Sequence, residues 1–153
     1  MRWFVLGGFL LLVVSCAGPR PVLHVKQFHL RDVSVSEGAE EAEVVKSEKL
    51  KLLYGAVTAE ERRGRLGDYY SVSWAGPEGT ESEEVRLVFD YRQAATGSQV
   101  HTMEEGFPPG RVGTGEFKLN GEDFAERGRV LAWRVRLYRG ASLVATKRSY
   151  LWN

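Results

Sequence analysis

The chain has 153 residues, 43% of them hydrophobic and 11% aromatic, which is enough for one domain with a real core and excludes wholesale disorder. Its 21 lysines and arginines face 20 aspartates and glutamates, a balance that leaves no basic face for neutralising phosphates and argues against a nucleic-acid partner. A single cysteine excludes an internal disulfide and any multi-cysteine metal site, and no cofactor is implied by any other residue pattern.

Met1 to Ser15 carry one early positive charge, Arg2, and then an apolar run from Trp3 to Val14. That run falls short of the ~20 residues a bilayer span needs but suits the apolar core of an export signal. It ends in Val13-Val14-Ser15-Cys16: an aliphatic residue, a tolerant position, a small residue and the only cysteine of the chain. This resembles the lipobox of bacterial lipoproteins. The resemblance implies that the lipoprotein signal peptidase removes residues 1–15, and that Cys16 is acylated on its sulfur and its new amino group. Two or three acyl chains anchor stably where one, at ~0.8 kcal/mol per buried methylene, is marginal. Ala17 follows the cysteine, with no aspartate resembling an inner-membrane retention signal, so the outer membrane is the expected address in a diderm bacterium. The expected organisation is a signal peptide over 1–15, a lipidated, proline-stiffened tether over 16–21 and one exported domain over 22–153. Loss of Arg2 with the signal leaves 20 basic residues against 20 acidic ones.

Val22 to Val33 reads as a strand, with Leu23 and Val25 on one parity and Phe28 and Leu30 on the other. Such a switch predicts a β-bulge or a strand that crosses between sheets. His24 and His29 lie on opposite faces of it, which suits surface histidines better than joint metal ligands. Ser34 to Lys46 is acidic and predicts an exposed loop. Leu50, Leu52, Tyr54 and Ala56 alternate and predict a second strand; a single helix over Ser47 to Arg65 is the weaker alternative, because Gly55, Val57 and Thr58 interrupt it. Thr58-Ala59-Glu60-Glu61 has the form of a capping box, opening a short helical turn from Ala59 to Arg65.

Asp68 to Gly76 alternates cleanly, with Tyr70, Val72 and Trp74 on one face. Pro77-Glu78-Gly79 is turn chemistry. Val85, Leu87, Phe89 and Tyr91 define a further strand, Gln93 to Ser98 a loop, and Val100 to Glu105 a short strand that Phe107-Pro108-Pro109-Gly110 ends. Gly113-Thr114-Gly115 reads as a turn. Glu116 to Leu119 is a strand closed by Asn120-Gly121. The last stretch predicts a hairpin: Leu131, Trp133, Val135 and Leu137 on one face, Gly140 at the turn, and Leu143 to Trp152 returning.

Strands at this spacing, with turn signals every ~8–12 residues, predict an all-β fold: one antiparallel β-sandwich of about seven strands with one short helical turn. The run Phe117-x-Leu119-x-Gly121-x-x-Phe124 ahead of the Trp133/Val135/Leu137 strand is similar to the back half of fibronectin type III and related immunoglobulin-like domains. There an aromatic at the corner precedes the core strand; here the corner residue is Phe124, without the hydroxyl of a tyrosine corner.

Catalytic patterns are scarce. No Gly-x-Ser-x-Gly element is present, and Cys16 is committed to lipid. His101, Glu104 and Glu105 form the one acid/histidine cluster, with His101 and Glu105 on the same strand face, but two ligands do not make a metal site. Glu40, Glu41 and Glu43 are too local for a pair of carboxylates that must flank a bond. Surface charge is more informative. Arg134 and Arg136, with Lys147 or Arg148 of the returning strand according to register, form a cationic stripe, and Trp152 beside the C-terminus is expected half-exposed and available for contact. The alternative for the stripe is cross-strand charge that keeps the face soluble. The Arg62-Arg63-Arg65 cluster invites the same two readings, contact with headgroups near the anchor or a solvated helical turn.

The expected function is a non-enzymatic binding or assembly module of the bacterial envelope. Its expected partners are the membrane, through acyl chains on Cys16, and an envelope protein or glycan met by a sheet edge or by Arg134, Arg136, Arg148 and Trp152. The alternatives are a purely structural subunit, and a carbohydrate-binding accessory or envelope enzyme using loops such as Gln93 to Ser98 and Glu104 to Gly113 at one sandwich end.

Overall fold

Tyr70, Val72 and Trp74, then Leu87, Phe89 and Tyr91, then Phe117 and Leu119, then Trp133, Val135 and Leu137 are each the apolar parity of one strand, and these faces meet in a single core. The structure is a computed structural model that describes residues 22–34 and 42–153. The signal peptide, Cys16, the tether and part of the acidic stretch lie outside the described residues. Seven strands follow one another: β1 (Leu23–Leu30), β2 (Gly67–Ala75), β3 (Val85–Gln93), β4 (His101–Phe107), β5 (Val112–Asn120), β6 (Val130–Arg139) and β7 (Ser142–Arg148). They form an antiparallel three-stranded sheet, β1-β2-β5, packed on an antiparallel four-stranded sheet, β4-β3-β6-β7. This is the immunoglobulin-like β-sandwich expected from the sequence. Its fourth strand pairs with β3, not with the first sheet as in a constant-type immunoglobulin domain.

Aromatic rings fill the centre. Phe89 stacks on Phe117 at 5.0 Å and on Tyr91 at 5.3 Å, and Tyr70 lies 4.7 Å from Phe89 and edge-on to Trp133. The Trp133 indole N–H donates to Gln27 Oε1 at 3.1 Å, so its polar edge is satisfied across the two sheets.

Several expectations need correction. Strand β1 has no bulge and does not change sheets: its eight residues pair in unbroken register with β2, from Leu23↔Trp74 to Leu30↔Gly67. Its parity switches because both faces are covered. Leu23 and Val25 face the sandwich, while Phe28 and Leu30 join Tyr69 and Leu53 in a second apolar cluster outside the sheet.

The cover is a helix, α1 (Glu43–Leu53), where the sequence predicts the end of a loop and a strand. Lys49 and Leu53, four apart, are its buried residues; the alternation of Leu50, Leu52 and Tyr54 is incidental. Its Glu, Lys and Leu content favours a helix, and Gly55 at φ +81° ends it. A second helix, α2 (Ala59–Arg63), carries the expected capping box: the Glu61 N–H donates to Thr58 Oγ1 at 3.1 Å, and Glu61 Oε2 accepts from the Thr58 N–H at 2.8 Å. A third, α3 (Gly121–Arg127), follows β5, so Asn120-Gly121 turns the chain into a helix and not into a hairpin. Phe124 on α3 lies under the Arg31 guanidinium, 5.1 Å from it.

Gly113-Thr114-Gly115 lies within β5 and is not a turn. A Cβ on Gly113 would overlap the six-membered ring of Trp74, and one on Gly115 would meet Phe107 Cζ at 2.5 Å. The glycines are there to seat rings. In β6 the register shifts opposite Arg92 and Gln93, which turns Leu131 outward (39% exposed) while Val130 packs on the core.

Candidate binding surface

Outward-facing side chains of the four-stranded sheet line up in rows fixed by register. One row runs Thr102, Asp90, Arg134, Arg148; the next runs Glu104, Val88, Arg136, Thr146. Arg148, not Lys147, therefore shares the face with Arg134 and Arg136. Lys147 pairs with Val135 and takes the opposite parity.

The stripe has an anion at its centre. Asp90 is buried, and its Oδ2 accepts from Arg134 Nε at 3.0 Å, Arg134 Nη2 at 2.8 Å and Arg136 Nε at 3.1 Å. Its Oδ1 accepts from Arg136 Nη2 at 3.2 Å and from the Thr102 hydroxyl at 3.0 Å. Burial alone would raise the Asp90 pKa, but the hydrogen bonds from Arg134, Thr102 and Arg136 more than offset it and hold the carboxyl below its ordinary range. Arg136 Nη1 also donates to the Tyr138 hydroxyl at 3.0 Å, and Arg86 lies over the Tyr138 ring at 4.5 Å while pairing with Glu104 at 3.2 Å. The face is therefore a network centred on the Asp90 carboxylate with surplus positive charge: Arg86, Arg92, Arg134, Arg136 and Arg148 against Asp90 and Glu104.

Trp152 corrects the expectation of a half-exposed contact residue. The chain turns back after β7, with the Trp152 N–H donating to the Ser149 carbonyl at 3.2 Å. The indole is only 5% exposed, lying 4.9 Å from the Arg92 guanidinium and 5.1 Å from that of Arg134. Arg148 Nη1 donates to the Trp152 carbonyl at 3.3 Å. Arg134, Arg136, Arg148 and Trp152 thus come together, but Trp152 is the lid of the arginine network. Its neighbour Tyr150, 96% exposed, is the aromatic presented to solvent. Asp90 and Arg92 complete the cluster beyond the residues the sequence points to; a lone acid between Phe89 and Tyr91, on a strand of inward aromatics, is the signal the sequence holds for them.

Beside this face runs the edge of β7, which pairs with no further strand among the described residues, and there Leu143 (54% exposed) and Val144 are open to solvent. His101 and Glu105 do share a parity, but the His101 ring stacks on Tyr91 at 5.4 Å and Glu104 points the other way to Arg86. Among the described residues no group of three or more His, Cys, Asp or Glu could hold a metal ion. Gln93 to Ser98 follows the far end of β3, whereas the Phe107–Arg111 turn lies beside Val85 at its near end. The loops expected to meet at one end therefore lie at opposite ends. The Arg62-Arg63-Arg65 cluster precedes Gly67, which pairs with Leu30, so it sits at the end of the sandwich remote from Val22.

No protein-family model, no curated protein and no solved structure matches the chain. The class of protein is accordingly defined by its own residues: a seven-stranded antiparallel β-sandwich whose four-stranded sheet carries an arginine network and an open edge.

Proposed function

We propose that the protein is a bacterial lipoprotein, a β-sandwich held on a membrane by acyl chains on Cys16, and that it is a non-enzymatic binding module for an acidic envelope partner. The observation that carries the binding reading is the surplus cation of the outer sheet face beside the free edge of β7 with its exposed Leu143 and Val144. An edge strand offers backbone hydrogen bonds to a partner, and neighbouring charge sets which partner it accepts. The lipobox resemblance supports the address.

The test is in-cell photo-crosslinking of the anchored protein from Thr146 on β7, followed by mass spectrometry. One dominant acidic protein or glycan whose capture falls when Lys147→Glu and Arg148→Glu are combined supports the reading; capture unchanged by that pair overturns it. These exposed positions are preferable to Arg134→Glu with Arg136→Glu, which would set two new carboxylates against buried Asp90 and unfold the sheet for reasons unrelated to binding. Cys16→Ser tests the anchor separately: it should abolish acyl labelling and leave unprocessed precursor.

A further inference from the structure

Helix α1 lies against β1 on the outer face of the three-stranded sheet, and among the described residues Glu116 and Lys118 of β5 stay exposed on that face. Register places two rows across this face, Lys26–Ser71–Glu116 and Phe28–Tyr69–Lys118. Between the second row and the flank of α1 runs a half-open groove of about 250 Å³. Phe28, Tyr69 and Leu52 give it an apolar floor; the Tyr69 hydroxyl donates to the Arg65 carbonyl and accepts from Asn120 Nδ2 at 3.2 Å, so the ring is fixed in place.

The rim is charged, and unevenly so. Two of its lysines already have carboxylates: Lys26 pairs with Glu48 at 3.1 Å and Lys118 with Glu116 at 3.0 Å. Among the described residues neither Lys51 nor Arg65 forms a direct ion pair: Arg65 Nη1 has only a long contact, 3.4 Å, to the Leu52 carbonyl, and its charge reaches the Glu61 carboxylate without contact. An apolar floor beside two cations that form no direct ion pair among the described residues is complementary to a ligand that is apolar at one end and negative at the other. The volume falls below the ~300–1,000 Å³ of pockets that enclose drug-sized molecules, so that ligand is small.

We infer that this groove binds a small amphipathic anion, a molecule with one negative head met by Lys51 and Arg65 and one compact apolar body laid on Phe28, Tyr69 and Leu52. The site is on the opposite sheet from the arginine network and does not depend on what that network does.

The experiment titrates 1-naphthylacetate, and separately its neutral counterpart 1-naphthylacetamide, into the full lipid-anchored chain held in nanodiscs, following backbone amide NMR shifts. The expected result is a set of shifts confined to β2, β5 and α1 around Ser71, Lys118 and Leu52, with the acid bound about fivefold more tightly than the amide. Lys51→Glu with Arg65→Glu should erase that preference, and Ser71→Trp should block both compounds by filling the groove. If Ser71→Trp loses the folded amide spectrum, the charge-reversed pair, whose side chains are at the surface, decides alone. Absence of shifts at these amides at millimolar concentration, or equal binding of acid and amide to the unaltered chain, overturns the inference.

Discussion

Asp68 has no exposed surface, yet its carboxylate is surrounded by donors: His29 Nδ1 at 2.6 Å, Arg31 Nη2 at 2.7 Å and the Val130 N–H at 2.7 Å from the opposite sheet. Burial by itself would raise its pKa; the His29 hydrogen bond, the Val130 N–H and the Arg31 charge outweigh it, and the pKa is lowered. A carboxyl with a folded-state pKa below its unfolded value of ~3.9 contributes stability that is fully present above that value and is lost as pH falls through the folded pKa. Asp68→Asn should therefore cost about 2–3 kcal/mol in urea melts at pH 7, discounted for the half-exposed Arg31 and His29. The cost should shrink in melts at acid pH, below the ordinary carboxylate range, where the natural carboxyl takes up its own proton. An equal cost at both pH values would mean that Asp68 acts through shape and not charge. The residue was legible in the sequence only as the first position of a strand. Its partners come from β1, from the segment just after it and from β6, and no local pattern announces a meeting of residues so far apart in the chain.

At the scale of elements, most strands could be read because each buries one face, and alternation records that directly. Failures came where that premise did not hold. Strand β1 buries both faces and so mimics a bulge, and the Lys-Leu-rich α1 shows no clean apolar stripe because one of its two inward positions is Lys49. The end of the terminal hairpin departs from its sequence pattern for a third reason: Trp152 is held by two guanidiniums from other strands, an arrangement invisible to strand periodicity. Strand β5 supplies a sharp test of what periodicity cannot see. Gly→Ala in a strand ordinarily stabilises by about 0.4–1 kcal/mol through the unfolded chain. At Gly113 the new methyl would overlap the Trp74 ring, and over-packing costs about 1–3 kcal/mol, so the overlap wins and Gly113→Ala should lower the thermal midpoint. Gly106 on β4 is the internal control, because a Cβ there meets nothing within 4 Å, and Gly106→Ala should leave the midpoint unchanged or raise it. If both variants behave alike, the ring-seating role of Gly113 is wrong.

The molecule as a whole has two unlike ends, and the proposed anchor decides which one faces the membrane. Val22 precedes Leu23, which pairs with Trp74, so Val22 lies beside the β2–β3 loop and the Phe107–Arg111 turn. Buried Arg139 fastens this end: its Nη1 donates to the carbonyls of Thr80 at 2.8 Å and Gly110 at 3.0 Å, and its Nη2 to that of Arg111 at 2.9 Å. The same loop carries Glu78, Glu81, Glu83 and Glu84, charges that repel anionic headgroups. The six Cα–Cα steps from Cys16 to Val22 span at most ~22 Å. Strands of this length add about 25–30 Å before the opposite end, where α2, α3 and Tyr150 lie. The domain should therefore stand upright, with its acidic loop near but not in the headgroup layer and the far end of its arginine face turned to the periphery. Because Cys16 is the only natural cysteine and is proposed to be acylated, a nitroxide placed at Glu78→Cys or at Tyr150→Cys labels a single position. In vesicles containing a nickel-chelating lipid, the spin relaxation of the label at 78 should be enhanced and that at 150 nearly unaffected. Equal enhancement would lay the sandwich on its side, bring the arginine network or the α1 groove against the bilayer, and remove that surface from the reach of any partner in the surrounding space.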